Sequence, residues 1–240
     1  DTPTAHYTVK TNQLNDGAQL RTIGIGPRGE QSGVILGKPD QLVFWYTREL
    51  ARQVDLLPQK SRILILGGGA YTLPQYLADK YPESNIDVVE IDPQLAQIAR
   101  QYFDYTPQPS ITEIAQDARI YLSQTTARYD IVIVDVYGDI NVPVTLMTRE
   151  YGTLVGRVTK PTGTVLANVV AGQTGACREL LAVSSATYQD EFPYRYTKVD
   201  ESAATNDDAN VILLMARSPR TVPGYTKNTD SGPVLEDDFA

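Results

Sequence analysis

The chain has 240 residues, 42% of them hydrophobic and 21% charged, and a formal net charge of −8. This balance is typical of one large globular domain or of a main domain with a small appendage, and an acidic chain without a basic patch is not expected to bind nucleic acid. Cys177 is the only cysteine and His6 the only histidine, so an internal disulfide and a zinc site are excluded and we expect no metal. We also expect no membrane span and no signal peptide, because no apolar run has the necessary length.

Residues 1–37 alternate apolar and polar positions in the short pieces HYTVKT, AQLRTIGIG and SGVILG. Glycines separate these pieces, as is typical of β-hairpins. We therefore predict a small antiparallel β-unit over residues 1–37, followed by a larger domain over residues 38–240. The unit would either pack against one end of the larger domain or serve as a lid or a dimer contact.

A helix is predicted to open at Pro39 and Asp40 and to run through DQLVFWYTRELARQVDLL. Proline suits the first turn of a helix, and an acid there complements the helix dipole. Apolar residues recur along this segment at helical spacing, and most of them are expected in the core. Tyr46 is kept as a candidate site residue, because it lies near the start of a helix that leads directly into the next strand.

The central stretch RILILGGGAYTLPQYLADKYPESNIDVVEID has the order strand, glycine loop, helix, strand and acid. Residues 63–66 are apolar and β-branched, which predicts a strand buried on both faces. Gly67, Gly68 and Gly69 permit a tight turn and let a ligand approach the backbone. The segment after them has helical spacing, so its first turn would direct free N–H groups at whatever lies over the glycines.

The second strand of this stretch ends at Glu90 and Asp92. A carboxylate at the tip of the second strand, roughly 20 residues after the glycines, is where a Rossmann-like fold binds the ribose hydroxyls of a nucleoside. A glycine-rich loop alone is weak evidence, and a plain strand-to-helix turn is the alternative. The strand, the helix and the acid at this spacing together favour a βαβ unit with an adenosine site.

Two later strands also end in acids. The strand ITEIA leads to Asp117, which could cap the helix DARIYLSQ or reach the amine of an adenine, and the sequence favours neither role. The strand in YDIVIVDVYGD is followed by Asp135 and Asp139. Acids at the carboxyl end of a central parallel strand point into the crevice where such sheets bind ligands, with helix capping and loop solvation as the alternative.

The remaining chain completes the sheet. It predicts the helices TREYGTLVGRVT and GQTGACRELLAVSSATYQ, the strand TVLANVV between them, and an antiparallel edge formed by YRYTKV and NVILLMARS. The acidic tail SGPVLEDDFA predicts a solvated terminus. The fold class is therefore α/β, with a Rossmann-like doubly wound sheet and a small N-terminal antiparallel β-unit.

The order of these elements resembles the spermidine synthase family of aminopropyltransferases, most specifically in LILGGG, VVEID, the Asp117 turn and DIVIVD. The resemblance covers essentially the whole chain and implies a sheet of the class I methyltransferase type. QSGVILGKPDQLVFWYTREL and VLEDDFA are similar to the soluble parts of membrane-fused, spermidine synthase-like proteins. We therefore expect a cytoplasmic protein or the soluble part of a membrane-anchored parent chain, and we expect a homodimer.

The resemblance also implies how a co-substrate binds. Decarboxylated S-adenosylmethionine, or S-adenosylmethionine itself, would place its nucleoside over Gly67, Gly68 and Gly69. Glu90 would bind the ribose and Asp117 the adenine amine.

The acceptor implied by the resemblance is a small amine. Asp135 and Asp139 would flank its reacting nitrogen, Asp135 would also touch the co-substrate, and Tyr46 would steer the amine. In this chemistry the amine attacks the carbon next to a sulfonium, and methylthioadenosine leaves. Because the amine must first lose a proton, a nearby carboxylate both orients the cation and accepts the proton; Asp139 is the expected base.

The chain departs from the family where selectivity is set. Ala70, Tyr71 and Thr72 follow the glycines, in place of an Asp and two further glycines. That Asp recognises the aminopropyl amine and would repel the carboxylate of S-adenosylmethionine, so Ala70 removes this discrimination. Thr47 stands where a polar acceptor-site group is usual, and the two loop acids are one residue further apart.

Three functions follow from these observations. The first is aminopropyl transfer from decarboxylated S-adenosylmethionine to a diamine or polyamine. The second is methyl transfer from S-adenosylmethionine to an unidentified acceptor, which Ala70 and Tyr71 favour. The third is a non-catalytic nucleoside- or polyamine-binding domain. A nicotinamide dehydrogenase is disfavoured, because the loop lacks the spacing G-x-G-x-x-G and no catalytic His or Lys follows.

Overall fold

A four-stranded antiparallel sheet forms the N-terminal part of the protein. The computed structural model describes residues 1–26, 30–136, 142–171, 175–203, 209–229 and 232–239. The four strands pair in chain order. Their bounds are β1 Tyr7–Gln13, β2 Gln19–Ile25, β3 Glu30–Ile35 and β4 Lys38–Leu42.

An eight-stranded sheet forms the larger part, in the order β12-β10-β11-β9-β8-β5-β6-β7. The five strands from β9 to β7 in this order run parallel, and β11, β10 and β12 add antiparallel strands at the other edge. The strand bounds are β5 Arg62–Leu66, β6 Asn85–Glu90, β7 Ile111–Ala115, β8 Tyr129–Val134, β9 Thr159–Ala171, β10 Tyr194–Val199, β11 Ala209–Ala216 and β12 Thr226–Lys227. The helices are α1 Trp45–Leu56, α2 Thr72–Lys80, α3 Leu95–Tyr102, α4 Ala118–Gln124, α5 Arg149–Val158 and α6 Gly175–Thr187.

The large sheet is covered on both faces, which confirms the doubly wound α/β fold. In β5, Ile63 and Ile65 pack with α1, α2 and α3, whereas Leu64 and Leu66 pack with α4 and α5 on the other face. All four side chains are at most 1% exposed. Because successive side chains of a strand point to opposite faces, a strand with two covered faces needs an uninterrupted apolar run.

The helix predicted to open at Pro39 begins later, and that expectation was wrong. Pro39 and Asp40 lie in β4, and α1 begins at Trp45. Pairing of Leu42 with Val34 on β3 holds this segment extended. A proline is tolerated there because β4 is an edge strand, where a missing N–H need not break a ladder. β4 follows the proposed domain boundary at residue 37, and the division of the chain into 1–37 and 38–240 remains a proposal.

The tail predicted to be solvated is docked instead. Leu235 forms a β-bridge with Thr148, and the N–H of Arg149 donates to the Leu235 carbonyl oxygen at 2.9 Å. Long-range pairing has therefore overridden the acidic, Gly- and Pro-marked composition of this segment.

Within the described ranges, none of the helices combines the length and the hydropathy that crossing a membrane requires.

Candidate functional site

A cavity of about 440 Å³ opens at the carboxyl ends of the parallel strands, between the two sheets. Ligands of open α/β sheets bind at this edge, because the loops that follow neighbouring strands converge there. Six of the residues chosen from the sequence line it: Tyr46, Gly67, Gly69, Glu90, Asp117 and Asp135. Asp139, also chosen, lies outside the described residues.

Gly67 sits where two neighbouring strands end. Its N–H donates to the carbonyl oxygen of Val89 at 2.8 Å, and the N–H of Asp135 donates to Leu66 at 2.9 Å. Gly67 has a φ of +96°, and a Cβ on it would lie 2.1 Å from the Asp135 carbonyl oxygen. Only glycine fits this position, so the first glycine of the loop is required by both conformation and space.

Glu90 is held by the glycine loop. Its Oε2 accepts from the N–H of Gly68 at 2.8 Å, and its Oε1 accepts from the N–H of Asp92 at 2.9 Å. Gly68 does not line the cavity; it acts through this bond. Burial raises the pKa of the Glu90 carboxyl, and the backbone hydrogen bonds from Asp92 and Gly68 partly oppose that rise. A carboxylate oxygen accepts more than one hydrogen bond, so Glu90 can also receive hydroxyls from the cavity.

Asp117 caps α4. Its Oδ1 accepts from the N–H of Ile120 at 2.9 Å, which is the N-cap arrangement that the sequence allowed. Among the described residues only Oδ1 accepts such a bond, and Asp117 lines the cavity as well. Capping therefore fixes the carboxylate at the cavity wall and leaves the adenine role compatible with the geometry.

Asp135 lies at the end of β8 and is fixed by a residue that sequence reasoning missed. Nδ2 of Asn168 donates to its Oδ1 at 2.9 Å. Burial raises the pKa of the Asp135 carboxyl to about 6, with the charge of Glu90 adding to the rise and the Asn168 hydrogen bond opposing it. Asn168 is 6% exposed in the middle of β9. A single amide inside the apolar run TVLANVV was the signal that could have identified it.

Tyr46 joins the small sheet to the cavity. Its hydroxyl donates to the carbonyl oxygen of Gln31 at 2.9 Å. Gln31 and Ser32 on β3 both line the cavity, and Oγ of Ser32 accepts from the N–H of Ala70 at 3.2 Å. The small sheet thus forms one wall of the site and touches the glycine loop, so β3 supplies site residues that the sequence did not identify.

The segment before β1 forms another part of the wall. The hydroxyls of Thr2 and Thr4 donate to the Asp92 carboxylate, which also accepts from the N–H of Gln94 at 2.9 Å. These bonds bring residues 4–7 onto the cavity. They pin the first residues of the chain beside Glu90, at the end of β6.

The loop after the glycines is apolar where the family resemblance implies an acid. Ala70 is 1% exposed and packs with Leu95 and Phe103 in a small apolar cluster. Tyr71 adopts the left-handed conformation, with a φ of 59°, and its ring lies 4.7 Å from that of Tyr105. Burial of the Tyr71 ring offsets a conformation that is unfavourable for a residue with a Cβ.

The sequence matches the family described as the spermine/spermidine synthase domain over residues 44–196. It is 34% identical over 182 residues to a polyamine aminopropyltransferase of Vibrio vulnificus, covering 74% of this chain and 58% of that protein. It is also 30% identical over 130 residues to putrescine N-methyltransferase 2 of Nicotiana attenuata, covering 51% of this chain and 34% of that protein. The chain thus spans less than two thirds of the length of these curated relatives.

Among solved structures, the fold is similar to that of a probable spermidine synthase from Corynebacterium glutamicum. The TM-score is 0.77 at 26% identity, and the alignment covers 92% of this chain and 82% of that one. The fold and the sequence match therefore indicate the same family. The chain therefore belongs to the spermine/spermidine synthase domain family.

Proposed function

We propose that this chain transfers an aminopropyl group from decarboxylated S-adenosylmethionine to a diamine or polyamine and releases methylthioadenosine. The observation that carries this proposal is that Glu90 and Asp135 face one cavity from the ends of two strands that flank β5. The Glu90 carboxylate suits the ribose of the co-substrate, and the Asp135 carboxylate suits the cationic acceptor. The polyamine aminopropyltransferase among the relatives supports the same reaction class.

The co-substrate would bind along the ends of β5, β6 and β7. Glu90, fixed by two backbone N–H groups, would accept the ribose hydroxyls, and Gly67 and Gly69 would let the nucleoside approach the loop closely. Asp117 would accept from the adenine amine at the start of α4. Holding the nucleoside at these points fixes the sulfonium relative to Asp135, and such placement supplies a large part of the rate.

The acceptor would bind at Asp135. A carboxyl whose pKa is about 6 is ionised at neutral pH, so it can hold an alkylammonium group. After one proton leaves, the nitrogen lone pair attacks the carbon next to the sulfonium, the C–N bond forms, and the C–S electrons return to sulfur. We assign the proton to Asp139, from the family resemblance, with Asp135 orienting the amine and Tyr46 steering it.

Methyl transfer from S-adenosylmethionine is the second candidate, and Ala70 favours it. Among the described cavity residues, the carboxylates are Glu90, Asp117 and Asp135, and Ala70 packs in an apolar cluster. The described part of the loop therefore carries no acid that would repel a donor carboxylate. One of the relatives is a putrescine N-methyltransferase, and by its name it transfers a methyl group to an amine.

Calorimetric titration with decarboxylated S-adenosylmethionine, S-adenosylmethionine and methylthioadenosine tests these proposals, together with product analysis in the presence of putrescine. Tighter binding of the decarboxylated donor and formation of spermidine would support aminopropyl transfer. Equal or tighter binding of S-adenosylmethionine with N-methylated product would replace it by methyl transfer. Binding without any turnover would leave the third possibility, a non-catalytic nucleoside- or polyamine-binding domain.

A homodimer and a membrane-anchored parent chain also remain proposals from the resemblance. Light scattering after size-exclusion chromatography would measure the first. The localisation of the full-length gene product would decide the second.

A further inference from the structure

The acidic C-terminal segment, residues 232–238, is bonded to Arg119 and to the start of α5, next in sequence to residues that line the cavity. Asp237 accepts from Nη2 of Arg119, and its Oδ1 accepts from the hydroxyl of Thr148 at 2.8 Å. Its N–H donates to Oε2 of Glu150 at 3.1 Å. The preceding residue, Glu236, pairs with Arg149 at 2.6 Å. Ion pairs, a side-chain bond and the Leu235 bridge therefore join the segment to one place on the large domain.

Arg119 connects that place to two segments that contribute residues to the cavity lining. It follows Asp117 and Ala118, which line the cavity at the start of α4. Nη1 of Arg119 donates to the carbonyl oxygen of Thr145, a cavity-lining residue, and to Oγ1 of Thr148 at 3.0 Å. A single guanidinium thus ties α4 to the segment 143–148, of which Pro143, Thr145 and Leu146 line the cavity.

Thr148 is the second connection. It is fully buried, and its hydroxyl caps α5 by accepting from the N–H of Tyr151 at 3.3 Å. The same hydroxyl accepts from Arg119 and donates to Asp237, so its hydrogen-bonding capacity is filled. Among the described residues, Asp237 is the carboxylate that forms an ion pair with Arg119. Removing its charge would leave the Arg119 guanidinium, which is 23% exposed, without a carboxylate partner among the residues that the structure describes.

We propose that Asp237 is a positioning residue for the adenine subsite, acting through Arg119 and Thr148 to hold α4 and the segment 143–148 at the separation that a nucleobase requires. The inference rests on the proposed nucleoside site.

Methylthioadenosine is the probe for this proposal, because it carries no net charge and any salt dependence of its binding then reports on the protein. Asp237→Asn in the full chain should raise its Kd about threefold to tenfold. Asp238→Asn is the matched control. It makes the same change one residue later, at an exposed side chain for which the described residues supply no ion pair, and it should leave Kd within about twofold.

Three further measurements separate positioning from general stability. Asp237→Glu restores the charge and should recover most of the affinity. Raising the salt concentration should weaken binding to the wild type more than to Asp237→Asn, because the Asp237 side of the ion pair is 45% exposed and is therefore screened by salt. If Asp237→Asn folds poorly, Arg119→Gln removes the same ion pair from the other side and should weaken binding in the same way.

The outcomes distinguish this inference from the function on which it rests. Absence of methylthioadenosine binding to the wild type would overturn the nucleoside site and the inference together. Binding to the wild type with an unchanged Kd in Asp237→Asn, or an equal loss in Asp237→Asn and Asp238→Asn, would overturn the inference alone. Loss in Asp237→Asn with rescue by Asp237→Glu would support it.

Discussion

Gly67 and Asp135 are in direct backbone contact across two parallel strands, with room for no more than a hydrogen atom on the Gly67 Cα. A Cβ at this position would lie 2.1 Å from the Asp135 carbonyl oxygen. The glycine loop therefore sets the position of Asp135 as well as the approach of a nucleoside. The first prediction tests how strongly this backbone contact constrains position 67.

Gly67→Ala should destabilise the protein by about 3 kcal/mol or more, because the clash is with backbone and cannot be relieved by a rotamer change. Gly37→Ala is the control, since Gly37 also has a positive φ, of 75°, with nothing near its Cβ position. It should cost only the conformational part, about 1–2 kcal/mol. Chemical denaturation measures both. Equal losses in the two variants would show that the contact with Asp135 contributes nothing.

Glu90→Gln should weaken methylthioadenosine binding by about 1.5–3 kcal/mol, the cost of losing hydrogen bonds to a charged group. Glu90 accepts from two backbone N–H groups, and the NH₂ of glutamine would face one of them. Glu83→Gln, at an exposed residue in the turn after α2, is the matched control. Calorimetry should give an unchanged Kd for that variant. Wild-type affinity in Glu90→Gln would remove this residue from the ribose role.

Asp135→Asn should abolish or strongly reduce turnover and yet stabilise the protein at high pH. The folded-state pKa of Asp135, about 6, lies above the ordinary value of 3.8. The folded state therefore binds the proton more tightly than the unfolded state, and the contribution of this group to stability falls as pH rises from about 4 to 6. Asparagine removes that penalty and can still accept from Asn168.

Thermal unfolding at two pH values checks the sign. At pH 8, Asp135→Asn should be more stable than the wild type by about 3 kcal/mol, and at pH 4 the difference should have largely disappeared. Glu90 titrates in both proteins, so its own raised pKa largely cancels in the comparison. Wild-type turnover should rise between pH 5 and 7 as Asp135 ionises. A variant that is less stable than the wild type at pH 8 would contradict the burial penalty.

Asp139→Asn should eliminate turnover while leaving methylthioadenosine affinity within about twofold, because general-base catalysis contributes to the rate and not to nucleoside binding. Asp16→Asn is a control at an exposed turn between β1 and β2. Rates with saturating co-substrate and separate calorimetry measure the two properties. Unchanged turnover would transfer the role of base to another group, and Asp135 would be the first to examine.

Local sequence determined the central unit of this protein. A continuous apolar run forms a strand covered on both faces, the glycine at position 67 accepts a positive φ, and an acid at the end of the next strand accepts a hydrogen bond from an N–H of the loop. These features depend on neighbouring residues and on the geometry of parallel strands, which always brings their carboxyl ends to one edge. Glu90, Asp117 and Asp135 lie at or just after the ends of three of these strands and line the same cavity.

Tertiary structure decided the features that depend on residues far apart in the chain. Pro39 lies in a strand because β3 pairs with β4, Asn168 fixes Asp135 across two strands, and Asp237 docks on Arg119. In each case the local signal was neutral or pointed elsewhere, and a contact formed only on folding outweighed it. Propensity and spacing depend on residues that are neighbours in the sequence. Packing and ion pairing instead join residues that are distant in the sequence, so the structure and the role of such residues follow from contacts that exist only in the folded protein.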